Sequence, residues 1–330
     1  MTDSATMFEA LDARVARREG RRDFFRTALG GVAVAAAGAA AVGMAGEAAA
    51  QTLTDADILN FALNLEYLEA QFYSYAANGV GLPGDILTGS GTQGAVTGGK
   101  QVIFTDPVVA QYAREIAADE VAHVRFLRKA IGATAVAQPA IDLGFTASSA
   151  FSKAAQAAGL VPAGGTFDAY ATDESFLLAA FLFEDVGVTA YKGASPLITN
   201  NAYIDAAAGI LAAEAFHAGL IRNVLYAKGI ATPTLRTQAD AISKARDTLD
   251  GAQLLDQGVS TQTRTVTNAN NTTTTIPYAN IAPTDLNALA FSRSAGQVLG
   301  IVYLNGTAGA TSGGFFPAGV NGTIKTSSAS

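Results

Sequence analysis

Leu211-Ala212-Ala213-Glu214-Ala215-Phe216-His217 and its twin Ala117-Ala118-Asp119-Glu120-Val121-Ala122-His123 decide how this chain is read. Both contain Glu-x-x-His inside apolar sequence of helical period. Helix positions three apart share a face, so each pair aims a carboxylate and an imidazole at one spot. The chain holds only two histidines, and both stand in this arrangement. With ten Glu in 330 residues, two chance hits come to roughly 1 in 1000, a specific signal by motif standards.

Working outward, four helices surround these motifs. Thr54-Asp55-Ala56-Asp57 is a helix start with capping-box character, and that helix stops at Asn78-Gly79. Asp106-Pro107 places Asp at the N-cap and Pro at the first helical position of a second, which runs to Gly132. A third begins at Thr172 and a fourth at Asn200, with stops read at Gly193 and Gly229. Basic residues near three of these ends (Arg128, Lys129, Lys192, Lys228) suit the helix dipole.

Counting from each cap exposes a repeat. Glu66 and Glu184 each lie twelve residues past their cap; Glu120 and Glu214 each lie fourteen past theirs. At 1.5 Å per residue all four sit roughly 18–21 Å along their helices. Tyr73 follows Glu66 by seven residues, as Tyr191 follows Glu184. The chain reads as two related helical hairpins meeting at a common waist. A short link joins helices three and four, as antiparallel neighbours need, while residues 133–171 provide one long crossover with a short helix near Ser148–Ala158. The Gly-rich link 80–105 is expected to cover one end of the bundle.

One Glu from each of two helices, plus a Glu-x-x-His from each of the other two, is the ligand set of ferritin-like di-iron and di-manganese carboxylate bundles. Four carboxylates at an apolar waist repel, at about 4 kcal/mol per pair 4 Å apart with an effective dielectric near 20. Two divalent cations cancel that charge. The reading is therefore an all-α, ferritin-like four-helix bundle over residues 51–229, holding two ions of iron or manganese through Glu66, Glu120, His123, Glu184, Glu214 and His217. Glu120 and Glu214 are read as bridging ligands and Glu66 and Glu184 as terminal ones. Glu69 faces roughly the same way as Glu66, but its repeat counterpart is Gly187, so Glu66 is preferred. Tyr73 and Tyr191 are candidates to hydrogen-bond ligand carboxylates or relay electrons, or else ordinary core residues. Asp119 is a candidate partner for a free histidine nitrogen. Glu115, Glu174 and Asp185 are read as surface or capping residues.

Residues 1–50 read as a delivery label. Gly20-Arg21-Arg22-Asp23-Phe24-Phe25-Arg26 resembles the twin-arginine export signal, followed by an Ala/Gly/Val run and Ala48-Ala49-Ala50, a small-x-small cleavage pattern. The run is too rich in Ala and Gly to favour an anchor, so no stable membrane insertion is expected after cleavage. The expected destination is periplasmic or extracellular, with the protein exported folded. The net charge of −7 argues against nucleic acid, and zero cysteines exclude thiolate metal sites and disulfides.

Residues 230–330 read as an extension packing on the bundle or on a partner subunit in a homo-oligomer. Ala239–Leu255 is expected to be an amphipathic helix, Asn268–Thr275 a low-complexity loop and Asp285–Arg293 a short helix. Val298–Leu304 fits helix or strand equally, and Ser327–Ser330 is expected to be unstructured. Asn-x-Ser/Thr patterns at Asn270, Asn271, Asn305 and Asn321 read as turn chemistry.

With Asn60-Phe61-Ala62-Leu63-Asn64-Leu65-Glu66-Tyr67-Leu68-Glu69, the two Glu-x-x-His helices and Gly313-Gly314-Phe315-Phe316-Pro317-Ala318-Gly319-Val320-Asn321-Gly322 in view, the chain resembles exported ferritin-like domain proteins related to plant and bacterial desiccation-related proteins. The resemblance implies a di-metal four-helix fold linked to dehydration or oxidative stress, and no particular reaction. The expected function is reaction with a small oxidant, hydrogen peroxide or dioxygen. The alternatives are metal binding without turnover and a structural stress protein.

Overall fold

The computed structural model describes residues 53–328, so the export signal read over residues 1–50 lies outside the described residues. Four long helices form the frame: α1 (Asp55–Asn78), α2 (Pro107–Ile131), α4 (Asp173–Ala194) and α5 (Asn201–Ala231). Their starts follow from their caps. Thr54 accepts from the Asp57 N–H while the Asp57 carboxylate accepts from the Thr54 N–H, a complete capping box. Asp106, Thr172 and Asn200 likewise accept from first-turn N–H groups.

Two of the four ends differ from the sequence reading. α1 stops at Gly79 (φ 76°), a left-handed cap, and α2 at Gly132. Gly193 and Gly229, however, lie inside their helices. A Cβ on Gly193 would meet the Arg293 carbonyl oxygen at 1.9 Å, and one on Gly229 would meet the Arg236 side chain at 2.3 Å. These glycines permit close approach of the C-terminal region and do not terminate helices.

α1 pairs with α2 and α4 with α5 as two hairpins. The crossover between them carries β2 (Ile141–Leu143) and α3 (Ala150–Ala157). β1 (Val96–Gly98), in the link after α1, pairs parallel with β2 in the register Val96–Ile141 to Gly98–Leu143. The link thus runs beside the crossover and is fastened to it.

The extension continues with α6 (Thr234–Asp250), which starts five residues before the expected helix because Pro233 sets its first turn. β3 (Gln262–Thr267) and β4 (Thr273–Tyr278) form an exposed antiparallel hairpin. Thr273–Thr275, expected as loop, are strand, since β-branched Thr suits a pleated ladder. Asn268–Thr272 make the turn, with Asn271 at φ 62°. No helix forms over Asp285–Arg293. The Asp285 carboxylate accepts from the Leu289 N–H, which a helix would direct to the Asp285 carbonyl, and Ala288 takes a left-handed φ of 60°. The ambiguous apolar run is helix α7 (Ala295–Val302), started by a Ser294/Gln297 capping box.

The tail closes over the bundle. Phe315 packs edge-on against Phe151 and Phe183, with ring centroids 5.1 and 4.9 Å apart. Asn321 and Asn64 of α1 exchange side chain–backbone hydrogen bonds at 2.9 Å. Ser327, expected to be loose, is buried and donates its N–H to the Ala310 carbonyl; the last two residues lie outside the described residues. The extension and the bundle belong to one compact unit.

Candidate metal centre

Each bundle helix delivers its share to one point. α1 supplies Glu66, α2 Glu120 and His123, α4 Glu184, and α5 Glu214 and His217. The four carboxylates and His217 are all buried. Donor atoms of Glu66, Glu120, His123 and Glu214 lie within 4.8 Å of one another, as do those of Glu120, Glu184 and His217. Glu120 belongs to both groups, which makes it the natural shared ligand; Glu214 falls only in the first.

The two halves mirror each other. His123 Nδ1 is 3.3 Å from Glu66 Oε2 and 3.6 Å from Glu120 Oε2. His217 Nδ1 is 3.1 Å from Glu120 Oε1 and 3.7 Å from Glu184 Oε2. Tyr73 of α1 donates to Glu184 Oε1, and Tyr191 of α4 donates to Glu66 Oε1. Each tyrosine therefore fixes the outer oxygen of the opposite helix's carboxylate and leaves the inner oxygen free.

A family model for the ferritin-like domain matches residues 54–227, the span that carries all of these side chains. The chain belongs to the ferritin-like domain family. Among curated relatives, the ferritin-like catalase Nec2 of Nesocodon mauritianus is 29% identical over 276 residues, covering 82% of this chain and 84% of the relative. Desiccation-related protein PCC13-62 of Craterostigma plantagineum is 29% identical over 258 residues, covering 75% and 77%. No solved structure gives a significant match.

Within this ferritin-like centre, the donor atoms ask for a cation. Glu66 Oε2, both oxygens of Glu120, Glu184 Oε2, both oxygens of Glu214 and both histidine Nδ1 atoms are buried without a hydrogen-bond partner. Buried polar groups are almost always paired, so eight unpartnered donor atoms gathered on these six residues fit a metal-ligand set. Oxygen-rich donors with two imidazoles suit iron or manganese.

Protons respond to the same crowding. Burial and the Glu120 charge push Glu66 up to about 7, and burial raises Glu184 to about 8. Burial and neighbouring carboxylates drive Glu214 well above the ordinary range. For Glu120 burial also pushes upward, but His123 and His217 outweigh it and hold the group at about 2. Burial opposes the histidine charges, yet carboxylate partners raise His123 to about 11 and His217 to about 9. A metal bound by these groups would displace their protons.

Asp119 has a different role from a partner of the histidine on its own helix. Its Oδ2 lies 3.2 Å from Nε2 of His217, across the α2–α5 contact, and orients that ring with Nδ1 inward. His123 is the more open of the two histidines, with 12% of its side chain exposed, so the centre is nearest to solvent on this side.

Glu69 stands beside the grouped donors and joins neither group. It is buried, and burial and the Glu120, Glu184 and Glu66 charges push its pKa well up. Its repeat counterpart is glycine for a steric reason: a Cβ at Gly187 would stand 2.3 Å from Glu214 Oε2 and 3.5 Å from Glu69 Oε1. The available signal was Glu66-x-x-Glu69 itself, the same three-residue spacing as the motifs on α2 and α5. Asp185, read as a surface or capping residue, is buried and bound by Arg222 and Arg246.

Proposed function

We propose that this ferritin-like protein holds two ions of iron or manganese and decomposes hydrogen peroxide, with dioxygen as the other small oxidant its centre would meet. The carrying observation is the set of eight buried, unpartnered donor atoms on six residues that fall into two groups sharing Glu120. Glu66, Glu120, Glu214 and His123 would hold one ion, and Glu120, Glu184 and His217 the other. When bound, the ions supply reversible one-electron chemistry and Lewis acidity. Tyr73 and Tyr191 hold the terminal carboxylates in place, and Asp119 holds the His217 ring. Conversion of two peroxide molecules to two waters and dioxygen balances without an external donor, which suits an exported protein. A relative named as a ferritin-like catalase favours this reaction over a donor-dependent one. Another named for desiccation favours a stress setting.

Metal analysis of the purified protein followed by oxygen evolution from hydrogen peroxide tests the reading. Two redox-active ions per chain with rapid gas release are expected. Two ions without reactivity would leave a metal-binding or structural stress protein, the second reading that the desiccation-related relative favours. A protein that takes up no iron or manganese under any loading condition defeats both. Delivery through the twin-arginine route to the periplasm is part of the proposal. Replacing Arg21 and Arg22 by Lys is expected to leave the protein in the cytoplasmic fraction; unchanged export would refute that part alone.

A further inference from the structure

Asp185 and Ala218 each directly follow a residue of the metal centre, so they project about 100° away around α4 and α5. On that side, between the two helices and the loops of the C-terminal extension, lies a cavity of about 180 Å³. Ala218 and Gly219 form part of its floor, and Ile281, Pro283 and Phe291 part of its walls. An apolar cavity of about 150 Å³ is enough to admit benzene, so this one has room for one ring with a small substituent.

Its polar groups set the chemistry. Asp185, in the wall, is 4% exposed; its Oδ2 accepts from Arg222 and Arg246, each at 2.8 Å, while its Oδ1 is buried with no hydrogen-bond partner. The other carboxylate in the wall, Asp256, accepts from Arg246 at 2.6 Å and Arg293 at 2.9 Å. Arg293 also lines the cavity, but its Nε, Nη1 and Nη2 are engaged by Asp250, Thr189 and Asp256. The arginines are committed to these carboxylates and to backbone carbonyls, apart from Arg246 Nε, whose residue does not line the cavity; Asp185 Oδ1 is the acceptor left over in the wall. Mostly apolar walls with a few placed polar groups are how small-molecule sites are built.

We propose that this cavity binds a single-ring aromatic molecule bearing a hydroxyl or a protonated amine, whose O–H or N–H donates to Asp185 Oδ1. The site is separate from the metal centre and does not depend on which metal is bound. Gly219 supplies the test: a Cβ there would meet nothing within 4 Å, and its φ is not positive, so Gly219→Leu fills the cavity without clashing with the helix. Phenol, benzylamine, toluene and benzoate are titrated against the metal-loaded full-length protein by calorimetry. Phenol or benzylamine is expected to saturate at one per chain and to bind at least about tenfold tighter than toluene. Benzoate, repelled by Asp185, is expected not to bind. Gly219→Leu is expected to abolish binding with melting temperature and metal content retained. Toluene binding as well as phenol, benzoate binding best, or Gly219→Leu binding phenol like the parent would each overturn the proposal. Should that variant fail to fold, 4-bromophenol soaked into crystals decides: anomalous signal between α5 and Phe291 supports the site, and its absence at saturating ligand refutes it.

Discussion

Two clusters of buried charge stand back to back on α4 and α5, and they solve opposite problems. In the candidate metal centre four carboxylates (Glu66, Glu120, Glu184, Glu214), with Glu69 buried beside them, meet two histidines, and eight donor atoms lack partners. One residue further along α4, Asp185 opens a cluster in which three arginines, Arg222, Arg246 and Arg293, meet three aspartates, Asp185, Asp250 and Asp256. There the charges balance and almost every guanidinium nitrogen has a partner. Excess acid with free inner oxygens is the pattern that the proposed cations would neutralise. Equal numbers of opposite charges, locked by hydrogen bonds, join the extension to the bundle. Burial alone does not distinguish a functional charge from a structural one; the balance of signs and the count of unpaired atoms do.

The sharpest way to break the comparison is at Glu120, the one residue common to both groups of candidate ligands. Glu120→Gln is expected to remove the shared carboxylate and reduce metal content from about two ions per chain to less than one, with peroxide decomposition lost. Elemental analysis checks the first and oxygen electrode traces the second. A variant that kept a full metal complement would show that Glu120 does not link the sites.

The balanced cluster should fail differently. Arg246→Met leaves Asp185 and Asp256 with one guanidinium each and strips two buried charge-assisted bonds. Breaking a buried pair costs about 3–5 kcal/mol, so denaturant melts are expected to show a loss of that size. Metal stoichiometry in the folded protein should stay unchanged. Metal loss at temperatures where the variant remains folded would mean that the two clusters are not separable.

Steric provision for the excess-acid side is tested at Gly187. Alanine ordinarily favours a helix interior by about 1 kcal/mol over glycine. Here its methyl would intrude on Glu214 and Glu69, so Gly187→Ala is expected to weaken metal binding about tenfold or more, a cost above 1.4 kcal/mol. Competition with a metal chelator measures it. An unchanged affinity with raised stability would show the glycine to be incidental.

What was legible beforehand follows from the range of the interactions. Thr54, Asp106, Thr172 and Asn200 start their helices through bonds spanning two or three residues, and Glu-x-x-His is equally local. The equal heights of Glu66 and Glu184, and of Glu120 and Glu214, carried that local information into three dimensions. Asp185 was misread because its partners Arg222 and Arg246 lie 37 and 61 residues away. Asp119 reaches His217 across 98 residues, and no helical spacing reveals that contact. Gly193 and Gly229 looked like stops because the backbone and side chain that press against them belong to the extension. The candidate ligands stand out in the sequence because a repeat displays them twice; the structural cluster occurs once.

The smallest expected effect concerns the edge of the balanced cluster. Asp247, on α6, is only partly buried, yet burial pushes its pKa up to about 6; the Leu255 N–H pulls it down, and the charges of Asp256 and Asp250 push it further up. A carboxyl whose folded pKa exceeds its unfolded value holds a proton in the folded state that the unfolded chain has already released. Its contribution is therefore favourable at low pH and is lost as pH rises from about 4 to about 6, staying flat above that. Asp247→Asn keeps an oxygen for the Leu255 N–H, 3.0 Å away in the parent, and removes the charge. Solvent screening of this half-exposed group limits the gain to about 1–2 °C in Tm at pH 7.5, shrinking to nothing near pH 4. Paired thermal melts at the two pH values read the difference directly. An equal shift at both would trace the effect to packing and leave Asp247 electrostatically neutral to the cluster beside it.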